Sequence, residues 1–226
     1  MKVLIAGAGS VGRSIARELL SHSHEVTLLD KDPAAMKIAS VADAEWLLAD
    51  ACEPVAMAEA GAESVDAVVA ATGDDKANLV ISLLAKTEFA VPRVVARVNN
   101  PKNEWMFDSS WGVDVPVSTP RIMTALVEEA VAVGDLVKVF TFHQSGASMF
   151  EMTLPEDSPA IGRQVGSLRL SGEVVLASIV RSGRPLAPGA QEVFEAGDQL
   201  LLVASATGEE SLPGLRGLLV RAPEAT

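Results

Sequence analysis

Short apolar runs alternate along the chain with segments whose apolar residues recur every three or four positions. Residues 3–6, Val-Leu-Ile-Ala, are uninterrupted by polar side chains, as in a strand buried on both faces. Val11, Ile15, Leu19 and Leu20 then fall on one face of a helix, and residues 26–29 form a second apolar run closed by Asp30. The same alternation predicts strands at 46–49, 66–71, 93–96 and 113–115. It predicts helices opened by Asp32-Pro33 (with Met36, Ile38 and Val41), by Pro54 (closed by Gly61), by Asp74 or Asp75 (through Leu79, Leu83 and Leu84) and by Asn100-Pro101 (with Trp105, Met106 and Phe107). Strands alternating with helices imply right-handed crossovers. The expected fold class is α/β: a Rossmann-like, doubly wound parallel sheet with helices on both faces.

After Pro116 the pattern changes. Residues 119–133 read as a helix with two adjacent apolar stripes, Ile122/Leu126/Ala130/Val133 and Met123/Val127/Val131, ended by Gly134. A helix apolar over so much of its circumference needs cover on more than one side, from a second domain or a second subunit. From Asp135 the chain is strand-rich. Residues 136–142 and 149–154 suggest a hairpin around 144–147, and 174–180 and 199–204 further strands. Short helices are expected at 165–170 and 212–219, a turn at 183–185, and a frayed tail at 221–226. The predicted division is residues 1–134 as the nucleotide-binding domain with its terminal helix, and 135–226 as a smaller α+β regulatory domain.

Composition narrows the class. The 226 residues are 49% hydrophobic, enough for real cores, yet no run approaches the roughly 20 apolar residues of a membrane span. The sequence runs straight into a strand, so no signal peptide is expected. Cys52 is the single cysteine, which leaves no disulfide and no cysteine cluster for a metal. A cytoplasmic location follows as an expectation. The net charge of −12 repels phosphate backbones and argues against nucleic-acid binding.

The chemistry concentrates after the first strand. Gly7, Gly9 and Gly12 make G-x-G-x-x-G, with Ala8, Ser10 and Val11 between them. Gly7 is expected to turn the chain, Gly9 to let a pyrophosphate approach, and Gly12 to let helix and sheet pack closely. Asp30, at the usual spacing of about 20 residues, suits a ribose hydroxyl, with Lys31 beside it. Ligands of such sheets bind beyond the carboxyl ends of the strands, which would bring Gly7, Asp30, Asp50, Thr72 and Arg97 together. An NAD-dependent oxidoreductase is the alternative class. It needs a proton donor near the nicotinamide; tyrosine is absent, His22 and His24 sit at a helix end, and His143 lies in the other half.

The succession GAGSVGRSIARELL, LLD, LLADACEP, VVAATGDDKANLV and VVARVNNP resembles the N-terminal domain of Trk/Ktr-type potassium-uptake regulatory subunits, the RCK proteins. PAIGRQVGSLRL, VLASIVRSGRPLAP and FEAGDQLLLVA are similar to the smaller RCK-C domain. The resemblance implies a gating subunit, not an enzyme, that binds NAD(H), ADP, ATP or AMP and sits beneath a membrane potassium transporter or channel. It implies a homo-oligomer paired through the helix at 119–133 and built into a ring, with a paralogous RCK subunit as a further partner. It implies that residues 7–11 hold phosphates, Asp30 the ribose, and Asp50 and Ala51 the adenine. Thr72, Gly73 and Arg97 would close the phosphate side or meet the neighbouring subunit. Members favouring ATP often carry arginine where this chain has Ser10, and several carry glutamate where Val117 follows Pro116. Both differences favour NAD(H), ADP or AMP.

Overall fold

The computed structural model describes residues 1–131, 133–142 and 145–221. They form two compact units, divided between Arg121 and Ile122.

The first unit is built on a six-stranded parallel sheet: β1 (Lys2–Ala6), β2 (Glu25–Asp30), β3 (Glu45–Leu48), β4 (Ala67–Ala70), β5 (Arg93–Val98) and β6 (Val115–Ser118). Their spatial order is β3-β2-β1-β4-β5-β6. β1 lies between β2 and β4, with Ala6 beside Leu29 on one side and Ala70 on the other. The direction of winding reverses there, and the crevice beyond such a reversal is the usual ligand position. Leu4 and Ala6 enter one core with Met57, Val68 and Ile81; Val3 and Ile5 enter another with Ala16 and Leu28. An uninterrupted apolar strand is therefore covered on both faces, by the helices α1 (Ser10–Ser21), α2 (Pro54–Glu59) and α3 (Asp75–Thr87) among others.

Two expected helices are shorter and tighter. After Asp32 the chain makes separate 3₁₀ turns, Pro33–Ala35 and Ile38–Ser40. Asp32 does cap, accepting from the Ala34 N–H at 2.9 Å. Ile38 is exposed, however, and only Val41 is buried, so no apolar stripe holds a helix against the sheet. The segment after Asn100 is likewise 3₁₀, Pro101–Met106, with Trp105 outward. The sixth strand lies two residues later than expected. Asp114 instead spends its polar groups on Val94: its N–H donates to the Val94 carbonyl and its carboxylate accepts the Val94 N–H at 2.6 Å. Pro116 is tolerated because β6 is an edge strand.

The second unit is α+β. Its five-stranded antiparallel sheet has the order β10-β9-β11-β8-β7. The strands are β7 (Val137–Thr141), β8 (Ser148–Thr153), β9 (Val174–Arg181), β10 (Arg184–Leu186) and β11 (Gln199–Ala204). Phe150, Met152, Leu176, Ile179, Leu200 and Leu202 pack with Leu212, Leu215 and Leu219 of α5 (Leu212–Leu219). The strands β7 and β8 pair antiparallel as expected of a hairpin; Gln144 of its expected turn, and the preceding His143, lie outside the described residues, as does most of the expected frayed tail. The helix expected at 165–170 is one 3₁₀ turn, Val165–Ser167. The reversal expected at 183–185 falls one residue earlier, on Ser182 (φ 50°) and Gly183 (φ 75°). Two positive φ values suit a tight hairpin, and Arg184–Leu186 continues as the edge strand β10.

α4 (Thr119–Val131) spans the division between the units. None of its described residues is buried; Ile122, Met123, Leu126, Val127 and Val131 are exposed. Among the described residues, no helix is long and apolar enough to cross a membrane.

Candidate functional site

The carboxyl ends of β1, β2, β4 and β5, together with the segment after β3, surround a cavity of about 450 Å³. Gly7, Gly9, Ser10, Val11, Asp30, Lys31, Asp50, Ala51, Thr72, Gly73 and Arg97 all line it. Of the residues singled out in the sequence, Ala8 and Gly12 do not.

The three glycines have different surroundings. Gly7 has φ +108°, and a Cβ there would lie 2.8 Å from the backbone of Ala71 and Thr72. A Cβ at Gly12 would lie 1.8 Å from the Gly7 carbonyl oxygen. Both glycines are required by packing. Gly9 meets nothing within 4 Å; its missing side chain leaves space on the cavity side, not room for the fold.

α1 begins at Gly9 with no side-chain cap and no acid in its first turn. α3, by contrast, is capped by Asp74, which accepts the Lys76 N–H at 2.9 Å. The first N–H groups of α1 thus face the cavity with the helix's partial positive charge and no side-chain acceptor. Arg97 lines the same space, and its Nε is buried without a hydrogen-bond partner. An unpaired buried donor is costly, and an anion beside it removes the cost.

Asp30 lines the cavity from the end of β2, on the other side of β1 from β4 and β5. Its Oδ2 accepts the Ala8 N–H at 2.7 Å and its Oδ1 the Asp32 N–H at 2.9 Å. Further along, Lys31 donates to Asp50 at 3.1 Å. The Cys52 N–H hydrogen bond holds the Asp50 carboxyl below its ordinary range, with Lys31 adding to the effect against some burial. The hydrogen bond to Asp50 raises Lys31 in turn, so both stay charged. Burial, and then the Asp50 charge, push the Cys52 thiol up. It is a protonated wall residue rather than a nucleophile.

Asp75 and Asn78, just behind the wall, accept and donate across to the ends of β4 and β5 (below). Sequence reasoning offered Asp75 only as an alternative cap of α3 and read Asn78 only as part of the family-like run Thr72-Gly73-Asp74…Asn78, with no site role for either. The available signal was an asparagine at a helix position flanked by buried Leu79 and Ile81, with further asparagines at 99, 100 and 103. Among the described residues there is no cluster of three metal-binding side chains. A larger space of about 550 Å³ in the second unit is lined by Leu136, Phe150 and Leu212 among others. Its Asp135 and Arg216 are paired with each other at 2.6 Å.

A six-stranded Rossmann-like sheet with an uncapped glycine turn is thus followed by a small antiparallel domain. The chain matches the TrkA-N domain over residues 3–119 and the TrkA-C domain over residues 149–212. It is 51% identical over 215 residues to the Trk system potassium uptake protein TrkA of Mycobacterium tuberculosis, covering 95% of this chain and 98% of that one. The chain belongs to the TrkA family of potassium uptake proteins. Among solved structures, the GsuK channel bound to NAD superposes with a TM-score of 0.68 at 17% identity, over 99% of this chain and 40% of that one. The Shewanella denitrificans Kef C-terminal domain in its AMP-bound form gives 0.51 at 22%, over 58% and 80%. These two establish likeness of fold.

Proposed function

We propose that the protein is the nucleotide-sensing regulatory subunit of a potassium uptake system, and that occupancy of the first unit's cavity controls potassium flux. The uncapped start of α1 and the Arg97 side chain, which line one cavity, carry this reading, because free backbone donors and a guanidinium on the same cavity match a phosphate group. In this reading Gly9, Ser10 and Val11 hold phosphates through backbone N–H groups. Asp30 accepts from the ribose hydroxyls, Asp50 and Ala51 flank the adenine, and Thr72, Gly73 and Arg97 close the phosphate side. NAD(H), ADP and AMP are the ligands best suited. The NAD and AMP named for the two structural neighbours support that choice.

The lining contains neither histidine nor tyrosine, and Cys52 is kept protonated by burial. These features favour sensing over hydride-transfer chemistry. The exposed apolar residues of α4 support a homo-oligomer paired through the helix at 119–133. A subunit with net charge −12 suits the lysine- and arginine-rich inner loops of a membrane transporter, which supports a position on the cytoplasmic face. Nucleotide shifts such an assembly only by its differential affinity for two shapes. The test is deletion of the gene, followed by growth at limiting potassium and rubidium-tracer uptake. Uptake should fall, the wild-type gene should restore it, and Gly9→Asp should not. Normal uptake in the deletion strain, with no redundant paralogue, contradicts the proposal.

A further inference from the structure

The first turn of α3 buries two polar side chains on a helix that also buries the apolar Leu79, Ile81 and Ala85, and Ser82, whose hydroxyl donates to the Asn78 carbonyl at 2.7 Å. Asn78 has no exposed surface and Asp75 is 8% exposed. Neither lines the cavity. Buried polar groups are tolerated when every hydrogen-bonding position is filled, and here they are. The Asn78 Oδ1 accepts the Thr72 N–H at 3.0 Å and the Thr72 hydroxyl at 2.6 Å. Its Nδ2 donates to the Thr72 carbonyl at 3.2 Å and to the Arg97 carbonyl at 2.8 Å. Asp75 Oδ1 accepts the Asn99 N–H and side-chain amide at 2.6 and 2.9 Å. Its Oδ2 accepts the Asn100 N–H at 3.0 Å and the Asn103 amide at 2.8 Å. The Asn99 amide also donates to the Thr72 carbonyl at 3.1 Å, which closes the circuit.

The two residues therefore join the end of β4, where Thr72 lines the cavity, to the end of β5, where Arg97 does. Backbone pairing between these strands ends at Ala70 and Ala96. Beyond that point side chains, not the ladder, set how far apart Thr72 and Arg97 stand. We propose that Asp75 and Asn78 are positioning residues for the nucleotide site: from one helix turn they fix the spacing of Thr72 and Arg97, so that affinity depends on two side chains that do not touch the ligand. This rests on the nucleotide reading of the cavity. It explains why a helix position suited to an apolar residue holds an amide. A leucine there would fill the same core but take the acceptor from the Thr72 N–H and one donor each from the Thr72 and Arg97 carbonyls.

The test uses the full chain as Asn78→Ala, Asp75→Asn and the control Val94→Ala, which opens a buried gap near the start of β5, away from the cavity. Three quantities are measured for each: amide hydrogen exchange without nucleotide, affinity for NADH and ADP by calorimetry, and Tm. Both positioning variants should exchange faster at residues 72–74 and 97–100. Both should bind at least about tenfold more weakly. Val94→Ala should lose Tm while its affinity stays within about twofold of wild type. If one positioning variant fails to fold, the other carries the comparison. Unchanged affinity in a folded variant overturns the proposal, and so does an affinity loss that Val94→Ala shares in proportion to its Tm. If the wild type binds neither NADH nor ADP, nor NAD, ATP or AMP titrated in their place, the reading of the cavity falls, and the positioning role with it; that failure is recognised from the wild type alone.

Discussion

Oδ2 of Asp30 accepts the backbone N–H of Ala8 at 2.7 Å. The acid that ends β2 is thus tied to the glycine turn that follows β1, and its carboxylate is fixed at the cavity wall. Replacing it removes the charged acceptor of Ala8 and, in the proposed site, that of the ribose. Asp30→Ala is expected to weaken nucleotide binding by about 1–3 kcal/mol. Titration calorimetry checks this. The same carboxylate repels a 2′-phosphate, so NADH should bind more tightly than NADPH. Preference for NADPH would remove Asp30 from the ribose position.

The glycines should separate fold from site. Gly12→Ala brings a Cβ against the Gly7 carbonyl and is expected to cost at least about 2 kcal/mol of stability by denaturant titration. Gly9 has φ −63°, which any residue adopts, and open space beside it. Gly9→Ala should stay within about 0.5 kcal/mol of wild type and lose affinity through obstruction. Equal stability losses in both variants would contradict the distinction.

Glu151 of β8 is buried, and burial pushes its carboxyl above the ordinary range. The Thr153 hydrogen bond opposes the shift and the Glu129 charge adds to it. Its contribution to stability is full below the unfolded value of about 4.3 and is lost as pH rises through the higher folded value. Glu151→Gln, which keeps an acceptor for Thr153, should therefore have a higher Tm than wild type near neutral pH. The advantage should disappear towards pH 4. A Tm difference independent of pH would exclude ionisation as its cause.

Met123 and Val127 of α4 are 57% and 56% exposed, adjacent on a helix without buried residues. Met123→Asp with Val127→Asp should yield smaller species by light scattering, with circular dichroism unchanged. A wild type already monomeric at micromolar concentration would refute pairing through this helix.

The sheet was legible in the sequence because apolar runs such as residues 3–6 permit few alternatives to a strand covered on both faces. The cavity was legible because its lining comes from strand ends, which the alternation locates. Segments at 32–41 and 100–107 carried good helix-start residues but little apolar periodicity, and they became 3₁₀ turns. β10 was missed because three residues containing Pro185 read as a turn; at a sheet edge that proline costs no ladder bond. The bonds of Asp75 and Asn78 to Asn99, Asn103 and Arg97 span 19–28 positions in sequence. No local pattern records them.

The most direct measurement is calorimetric titration of the purified full chain with NADH, NAD, ADP, ATP and AMP, in parallel with Gly9→Asp. At least one of these nucleotides should bind the wild type at one site per chain, with no turnover of the bound molecule. Gly9→Asp should give no binding heat while keeping the wild-type circular dichroism. Absence of binding for all five nucleotides, or equal binding by Gly9→Asp, would contradict the assignment of the cavity.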